Sequence, residues 1–472
     1  MSVDVIVVGA GLSGLVTAHR LHRLGLRVQV FEAAPRPGGV IGSERKHDVL
    51  FERGPNSGMD TTPLINALLD ELGIRDRRID ASKAASRRYV VRGGRMVALP
   101  TSPGAFISTP LFSWHAKLRL FAEPFIRRAD ASEEESIAHF VRRRLGPEFL
   151  DYAIEPFVSG IYAGDPDQLS LPAAFPRLHA LEQRYGSLFR GAILGARERR
   201  RSAERPKGSA TSFSFREGFQ TLTDALAAAL PSVQCGMWAT ALRGEASGDF
   251  SVSLEGAAKA EHRACAVVLA TPAYAAARLV EPLTPDAARA LDGIAYSPVA
   301  VVISAYRRRS VGHALDGFGV LAPAAAKPGM LGSLFSSTMF EGRSASDTVV
   351  FTTFLGGRRD PSLVAAPDPE LLTRVHGELT RLVGVSEPPV FSEITRWPRA
   401  IPQYTLGHLQ RIAAVERAER DVRGLYFCAN YRGGVAISDC ITNGEAAAQR
   451  IARELSAVRA GPAARDAAAA AA

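Results

Sequence analysis

Cysteine is scarce. The 472 residues contain four, Cys235, Cys265, Cys428 and Cys440, with no C-x-x-C pair and no zinc-ligand spacing. That usage argues against a disulfide framework and for a reducing compartment. The ten histidines are scattered. His19 and His22 share a helix face, but no acidic or cysteine partner is spaced to complete a ligand set, so no metal is expected. No apolar run reaches the roughly 18 residues of a membrane-spanning helix. The opening MSVD leads straight into a strand, without the basic and apolar regions of a secretory signal. No aromatic residues interleave with the basic ones, which argues against nucleic acid.

What is present is a globular composition, 46% hydrophobic and 22% charged, with a formal charge of +9. Such a length supports two or three domains with their own cores. Arginine clusters at RERRRSAERPK (197–207), read either as a solvated loop or as attraction to an acidic substrate or anionic headgroups. The tail after residue 458 is low-complexity, and 459–472 is expected to be disordered.

The strongest motif is VDVIVVGAGLSGLVTAHRLHRLGLRVQVFEAA at the start. A buried strand, VIVV, runs into Gly9, Ala10, Gly11, Leu12, Ser13 and Gly14, then a helix, then a second strand ending in Glu32 and Ala33. In G-x-G-x-x-G the first glycine makes the turn, the second admits a pyrophosphate, and the third lets helix and strand approach. An acidic residue about twenty positions on is placed for ribose hydroxyls. The combination predicts a dinucleotide. Arg36 followed by Gly38 and Gly39 resembles the FAD signature of the amine oxidase–phytoene desaturase superfamily, so FAD is the expected cofactor. A second glycine pair, Gly433–Gly434, precedes Val435, Ala436 and Ile437 and a final helix. It is expected to return beside the first turn and place an electropositive helix end at the flavin.

The expected fold class is α/β. A discontinuous, Rossmann-like FAD domain is built from 1–60, 206–275 and 395–458. A mixed-sheet substrate domain takes 61–100 and 276–394, and a helical insertion takes 101–205.

Four stretches make the resemblance narrower: EPFVSGIYAGDPDQLSLPAAFP (155–176), SFREGFQTL (214–222), WPRAIPQYTLGH (397–408) and GGVAISDCI (433–441). Together they resemble the oxygen-dependent protoporphyrinogen oxidases over about residues 3–455. The resemblance implies an FAD oxidase that converts protoporphyrinogen IX to protoporphyrin IX in haem synthesis. Molecular oxygen would be the acceptor and hydrogen peroxide the by-product. It also implies a cytoplasmic protein held peripherally on the inner face of the cell membrane, and a homodimer. For the flavin it points to Gly9–Gly14, Glu32, Ala33, Gly39, the turn Gly54, Pro55, Asn56 and Ser57, Val233, Trp397 and Val435–Ile437. For the substrate it points to Arg88 on a propionate, Leu321, Leu334 and Phe354 as an apolar clamp, and Gly160 and Gly164 as cavity lining.

The residues leave alternatives open. Arg87 and Arg88 point to opposite faces of a strand, so at most one faces inward. The clamp residues equally fit a buried strand, Trp397 a core aromatic, and the two glycines a turn. The amphipathic HAKLRLFAEPFIRR suits a membrane face or packing within the protein. No Ser-His-Asp set or evident base occurs, so no catalytic acid or base is named. The rivals are coproporphyrinogen III oxidation by the same fold, an amine oxidase with a cysteinyl flavin at Cys428 or Cys440, and a flavin-bound scaffold without turnover.

Overall fold

The VDVIVV pattern forms strand Val3–Val8, buried from its second residue onward. Burial on both faces explains its continuous apolar run. A computed structural model describes residues 3–130, 133–191, 194 and 211–459. The arginine cluster at 197–207 and the tail beyond Arg459 lie outside the described residues.

Val3–Val8 pairs in parallel with Val28–Glu32 on one side and with the end of Ala260–Leu269 on the other. Val233–Cys235 extends the sheet beyond Val28–Glu32, and Leu425–Phe427 extends it beyond Ala260–Leu269, both in parallel. The first half of Ala260–Leu269 instead pairs antiparallel with Phe250–Glu255, which pairs with Trp238–Gly244. One long strand therefore serves two ladders. Helices Leu12–Arg23, Gln220–Ala228 and Ile437–Arg459 cover one face of the parallel part, and Ala273–Val280, Pro285–Asp292 and His408–Asp421 cover the other. This is the doubly covered α/β layout that the first motif predicts.

The second sheet has seven strands in the order Phe391–Pro402, Tyr296–Arg307, Thr348–Gly356, Gly332–Phe335, Gly317–Leu321, Arg87–Arg92 and Arg95–Ala98. Its back face is sealed by helix Asp368–Val383 through Leu371, Val375, Leu379 and Val383. A helical layer between residues 103 and 185 packs around Leu111, Phe140, Val158, Tyr162 and Leu171.

Two segments sit across the sequence-based partition. Residues 395–402, grouped by sequence with the FAD domain, lie in the edge strand of the second sheet. Helix Pro63–Glu71, grouped with the substrate domain, buries Ile65, Leu68 and Leu69 in the core beneath the first sheet. Periodicity identifies a strand or helix but not which of two sheets it joins.

Candidate active site

The first glycine turn has the geometry its spacing requires. Gly9 has φ +106°, a conformation that disfavours any other residue. A Cβ on Gly14 would collide with Gly9 O and lie 2.9 Å from Ala270 Cβ, so helix and strand touch here. Around Gly11, by contrast, a Cβ would meet nothing within 4 Å. Helix Leu12–Arg23 begins at Gly11 with no side-chain cap and no acid in its first turn. Its first turn, Leu12–Gly14, is buried, yet the N–H groups that open a helix have no partner within it. Such an end suits an anion.

Glu32 is fixed beside it. Ala10 N donates to Glu32 Oε2 at 2.6 Å and Ala34 N to Oε1 at 2.8 Å. The second glycine pair closes onto the first turn. Gly38 N donates to Ala10 O at 2.8 Å, and a Cβ on Gly39 would reach 3.3 Å from Gly11 Cα. Arg36 spans this loop, donating to Pro37 O at 3.0 Å and Ile41 O at 2.7 Å. It braces the loop's shape. The turn Gly54–Ser57 leans on the same loop: a Cβ on Gly54 would strike Val40 O, and Asn56 donates to Gly54 O at 3.1 Å. Trp397 Nε1 donates to Arg53 O at 2.7 Å, tying the second sheet to that turn. Val233 pairs with Val30, two residues before Glu32 on the neighbouring strand.

The distant glycine turn returns as expected. A Cβ on Gly444 would lie 2.9 Å from Val16 Cγ1 and 3.2 Å from Ser13 O, so the last helix runs directly along the first. Thr17 Oγ1 donates to Ser13 O at 2.8 Å and reaches Cys428 Sγ at 3.4 Å. Val435–Ile437 therefore open a helix whose start lies close to the G-x-G-x-x-G turn. One expectation changes. Asp439, in the first turn of that helix, accepts from Ala436 N at 3.4 Å. Its carboxylate offsets the positive helix end, so the end is less electropositive than the glycine pattern alone implies.

Residues that sequence reasoning passed over complete the crevice. Thr271 Oγ1, at the end of Ala260–Leu269 and beside Gly9, is buried with no hydrogen-bond partner among the described residues. An uncapped buried helix start, an open space at Gly11 and an orphaned hydroxyl together fit a dinucleotide pyrophosphate. Thr271 has no spacing signature; its place depends on the strand's end, which pairing reveals.

The substrate-site candidates gather on one face of the second sheet. Arg88 pairs with Gly319, and Gly319 with Leu334. Leu321 pairs with Gly332, and Gly332 with Phe354. Residues directly paired across a ladder share a face, and so do residues two apart. Arg88, Leu321, Leu334 and Phe354 thus face the same way, over a floor of Gly319 and Gly332 that carries no side chains. Trp397 joins them, because it pairs with Val299, two residues before the partner of Phe354. The three apolar side chains are half-buried, whereas Val320 and Phe335 on the opposite face are buried.

Arg87 and Arg88 separate as alternation requires. Arg87 is paired with Asp316, which also accepts from Tyr89 Oη at 2.6 Å. Arg88 has no carboxylate within 4 Å among the described residues; its guanidinium lies 5.3 Å over the Phe318 ring. It is an exposed cation at the rim of an apolar face.

The helix Glu155–Tyr162 forms a second wall. A Cβ on Gly160 would come within 3.0 Å of Leu321 Cδ2. Glu155 anchors this helix to the sheet through Arg359 Nη2 at 2.5 Å, while Arg359 Nη1 donates to Ala322 O at 2.8 Å. Gly164 lies just beyond the end of that helix. It is buried, and a Cβ there would meet Gln403 Oε1 at 2.6 Å and Leu169 Cδ1 at 3.0 Å. Its missing side chain lets two motifs pack. Gln403 Nε2 donates to Tyr162 O at 2.8 Å, and Ser170 N to Tyr404 O at 2.8 Å. The stretches 155–176 and 397–408 are thus hydrogen-bonded to each other. Tyr404 continues the chain to the second glycine turn, accepting from Gly434 N at 3.0 Å. Leu321, Ile401 and Val435 pack on the same apolar cluster as Tyr162 and Tyr404, which joins clamp to turn.

The profile of the flavin-containing amine oxidoreductases matches residues 12–452. The chain belongs to this family. As a member it is an oxidoreductase with FAD as cofactor. Protoporphyrinogen oxidase 2 of Arabidopsis thaliana is 34% identical over 482 residues, covering 95% of this chain and 93% of that protein. The coproporphyrinogen III oxidase of Propionibacterium freudenreichii is 32% identical over 481 residues, covering 95% and 90%. A solved structure from Exiguobacterium, provisionally named a protoporphyrinogen oxidase, superposes with TM-score 0.80 at 24% identity, over 96% of this chain and 99% of that one. That likeness shows the shared fold.

Proposed function

We propose that this flavoprotein oxidises protoporphyrinogen IX to protoporphyrin IX in haem synthesis. The carrying observation is the shared face: a glycine floor, three half-buried apolar side chains and one cation without a carboxylate partner, adjoining the flavin turn. A porphyrinogen is a broad apolar macrocycle with carboxylates at its edge, and that surface matches both features.

FAD, when bound, supplies a two-electron acceptor that molecular oxygen reoxidises, with hydrogen peroxide as by-product. The chain's residues bind and orient. Leu321 and Leu334 hold one pyrrole ring and Phe354 stacks on another. Arg88 takes a propionate, bidentate and charge-assisted. Gly160 lets the helix backbone approach the macrocycle edge. No side chain is assigned as acid or base; rate acceleration arises from holding a meso carbon in register. Arg87 is already neutralised by Asp316, so of the two neighbouring arginines only Arg88 is left to take a carboxylate. This favours protoporphyrinogen over coproporphyrinogen III. A cysteinyl flavin is disfavoured, because burial pushes the Cys440 thiol up to about 12 and also raises that of Cys428.

A peripheral membrane contact is the second part of the proposal. Ile107, Trp114, Leu118, Phe121 and Phe125 are all exposed, Phe121 by 77% and Phe125 by 84%. Arg119 and Arg128 lie among them. Such an apolar surface with basic neighbours suits an anionic bilayer face, on the inner side of the cell membrane. Homodimerisation remains an expectation of the family resemblance.

The test is an aerobic assay with protoporphyrinogen IX and coproporphyrinogen III supplied separately, autoxidation subtracted and peroxide followed. Rapid porphyrin fluorescence with the first substrate, slow with the second, and peroxide in step is the expected result. Preference for coproporphyrinogen would move the substrate assignment, and fluorescence from neither would overturn it.

A further inference from the structure

Asn430 O and Gly434 N are four residues apart, the spacing that closes one turn of α-helix directly. No direct bond joins them among the described residues. The Tyr404 hydroxyl stands between instead, donating to Asn430 O at 2.7 Å and accepting from Gly434 N at 3.0 Å. One oxygen thereby bridges the carbonyl and the amide across an open loop, in which Gly433 and Gly434 have φ +74° and +120°.

The ring that delivers this hydroxyl is itself fixed. Tyr404 is 2% exposed. It stacks on His408 with centroids 4.1 Å apart and planes 12° apart. His408 Nε2 is 3.0 Å from Tyr431 O, inside the same loop, where a donating N–H holds it. The Tyr404 backbone carbonyl is taken by Ser170 N from the helical layer. Three parts of the molecule converge on one tyrosine: the end of the substrate sheet, the helical layer and the loop before the last helix.

We propose that Tyr404 is a positioning residue for FAD. Its hydroxyl holds the 430–434 loop open so that the backbone of Val435–Ile437 is presented to the cofactor, and the His408 stack holds the ring at that height. Without the oxygen the carbonyl and the amide both lose their partner, and the following residues lose the bridge that fixes their place. The inference rests on the assignment of Val435–Ile437 to the flavin.

Tyr404→Phe in the holoenzyme tests it, with Tyr426→Phe as a matched control. Tyr426 is also buried, and its hydroxyl donates to Glu454 at 2.6 Å, away from the loop. FAD release is read by flavin fluorescence on dilution and on heating, and global unfolding separately by far-ultraviolet circular dichroism. Losing two hydrogen bonds at the turn predicts FAD binding weakened about tenfold in Tyr404→Phe. It also predicts flavin release ahead of global unfolding and an altered visible flavin spectrum. Tyr426→Phe keeps wild-type FAD affinity and spectrum. Unchanged FAD release in Tyr404→Phe, or equal loss in both variants, overturns the proposal. Ala436→Pro that leaves FAD affinity and spectrum unchanged would instead overturn the underlying assignment.

Discussion

Removing the Arg88 guanidinium probes the substrate assignment directly. Arg88 has no carboxylate partner among the described residues and is exposed, so Arg88→Ala leaves no buried charge and no cavity. Its stability cost is within about 0.5 kcal/mol. The loss falls on the substrate. A charge-assisted hydrogen bond to a carboxylate contributes about 1.5–3 kcal/mol, so KM for protoporphyrinogen rises about 10- to 150-fold. The contact is remote from the reacting carbon and equal in ground and transition states, so kcat changes little. Arg88→Lys recovers part of the effect, since a point charge replaces a fork. Arg87→Ala is the internal comparison: its guanidinium is engaged with Asp316, and KM is expected to move less than about threefold. Initial rates of porphyrin fluorescence over a substrate series give both constants. A large fall in kcat with unchanged KM, or a larger KM effect at Arg87, would refute the reasoning.

Gly14→Ala forces a methyl against Gly9 O, so the purified protein is expected to lack flavin colour while still folding, read as the visible absorbance per chain. Glu52→Gln leaves the buried Arg343 guanidinium, 3.0 Å from the lost charge, without its counter-ion; stability falls by about 3–5 kcal/mol in urea unfolding, and replacing both by neutral residues recovers much of it. Burial lowers the His408 pKa to about 4, against opposition from Glu134 and the Tyr431 carbonyl. The unfolded chain therefore takes up a proton below about pH 6.5 that the folded chain refuses until about pH 4, and stability drains by about 3 kcal/mol across that window as pH falls. His408→Asn flattens that acid limb in pH-dependent melts. Phe121→Ser with Phe125→Ser weakens cosedimentation with anionic vesicles by more than about tenfold, since each buried phenylalanine contributes about 1.5–3 kcal/mol.

The FAD half of this architecture is legible because its signals are local. Gly9, Gly11, Gly14 and Glu32 fall within one βαβ unit whose spacing is set by the cofactor. The strands carrying Arg88, Leu321, Leu334 and Phe354 are also visible from their patterns. Which face those side chains share is not, because a shift of one residue in register reverses it; the Gly319 and Gly332 pairings decide the matter. Arg36 marks the signature by position, and its contacts with the carbonyls of its own loop come only from the structure. The contact of Gly164 with Gln403, a residue 239 positions away, has no local signal. Tyr404 and Thr271 carry no motif of their own, and only long-range contacts expose their roles.

The central claim is that the glycine-floored face delivers a porphyrinogen to the flavin. Anaerobic mixing of the holoenzyme with protoporphyrinogen IX, followed by flavin absorbance, tests it most directly. The account predicts rapid bleaching of the oxidised flavin band, slowed at low substrate by Arg88→Ala and recovered at high substrate. A flavin band that persists at saturating protoporphyrinogen would contradict it.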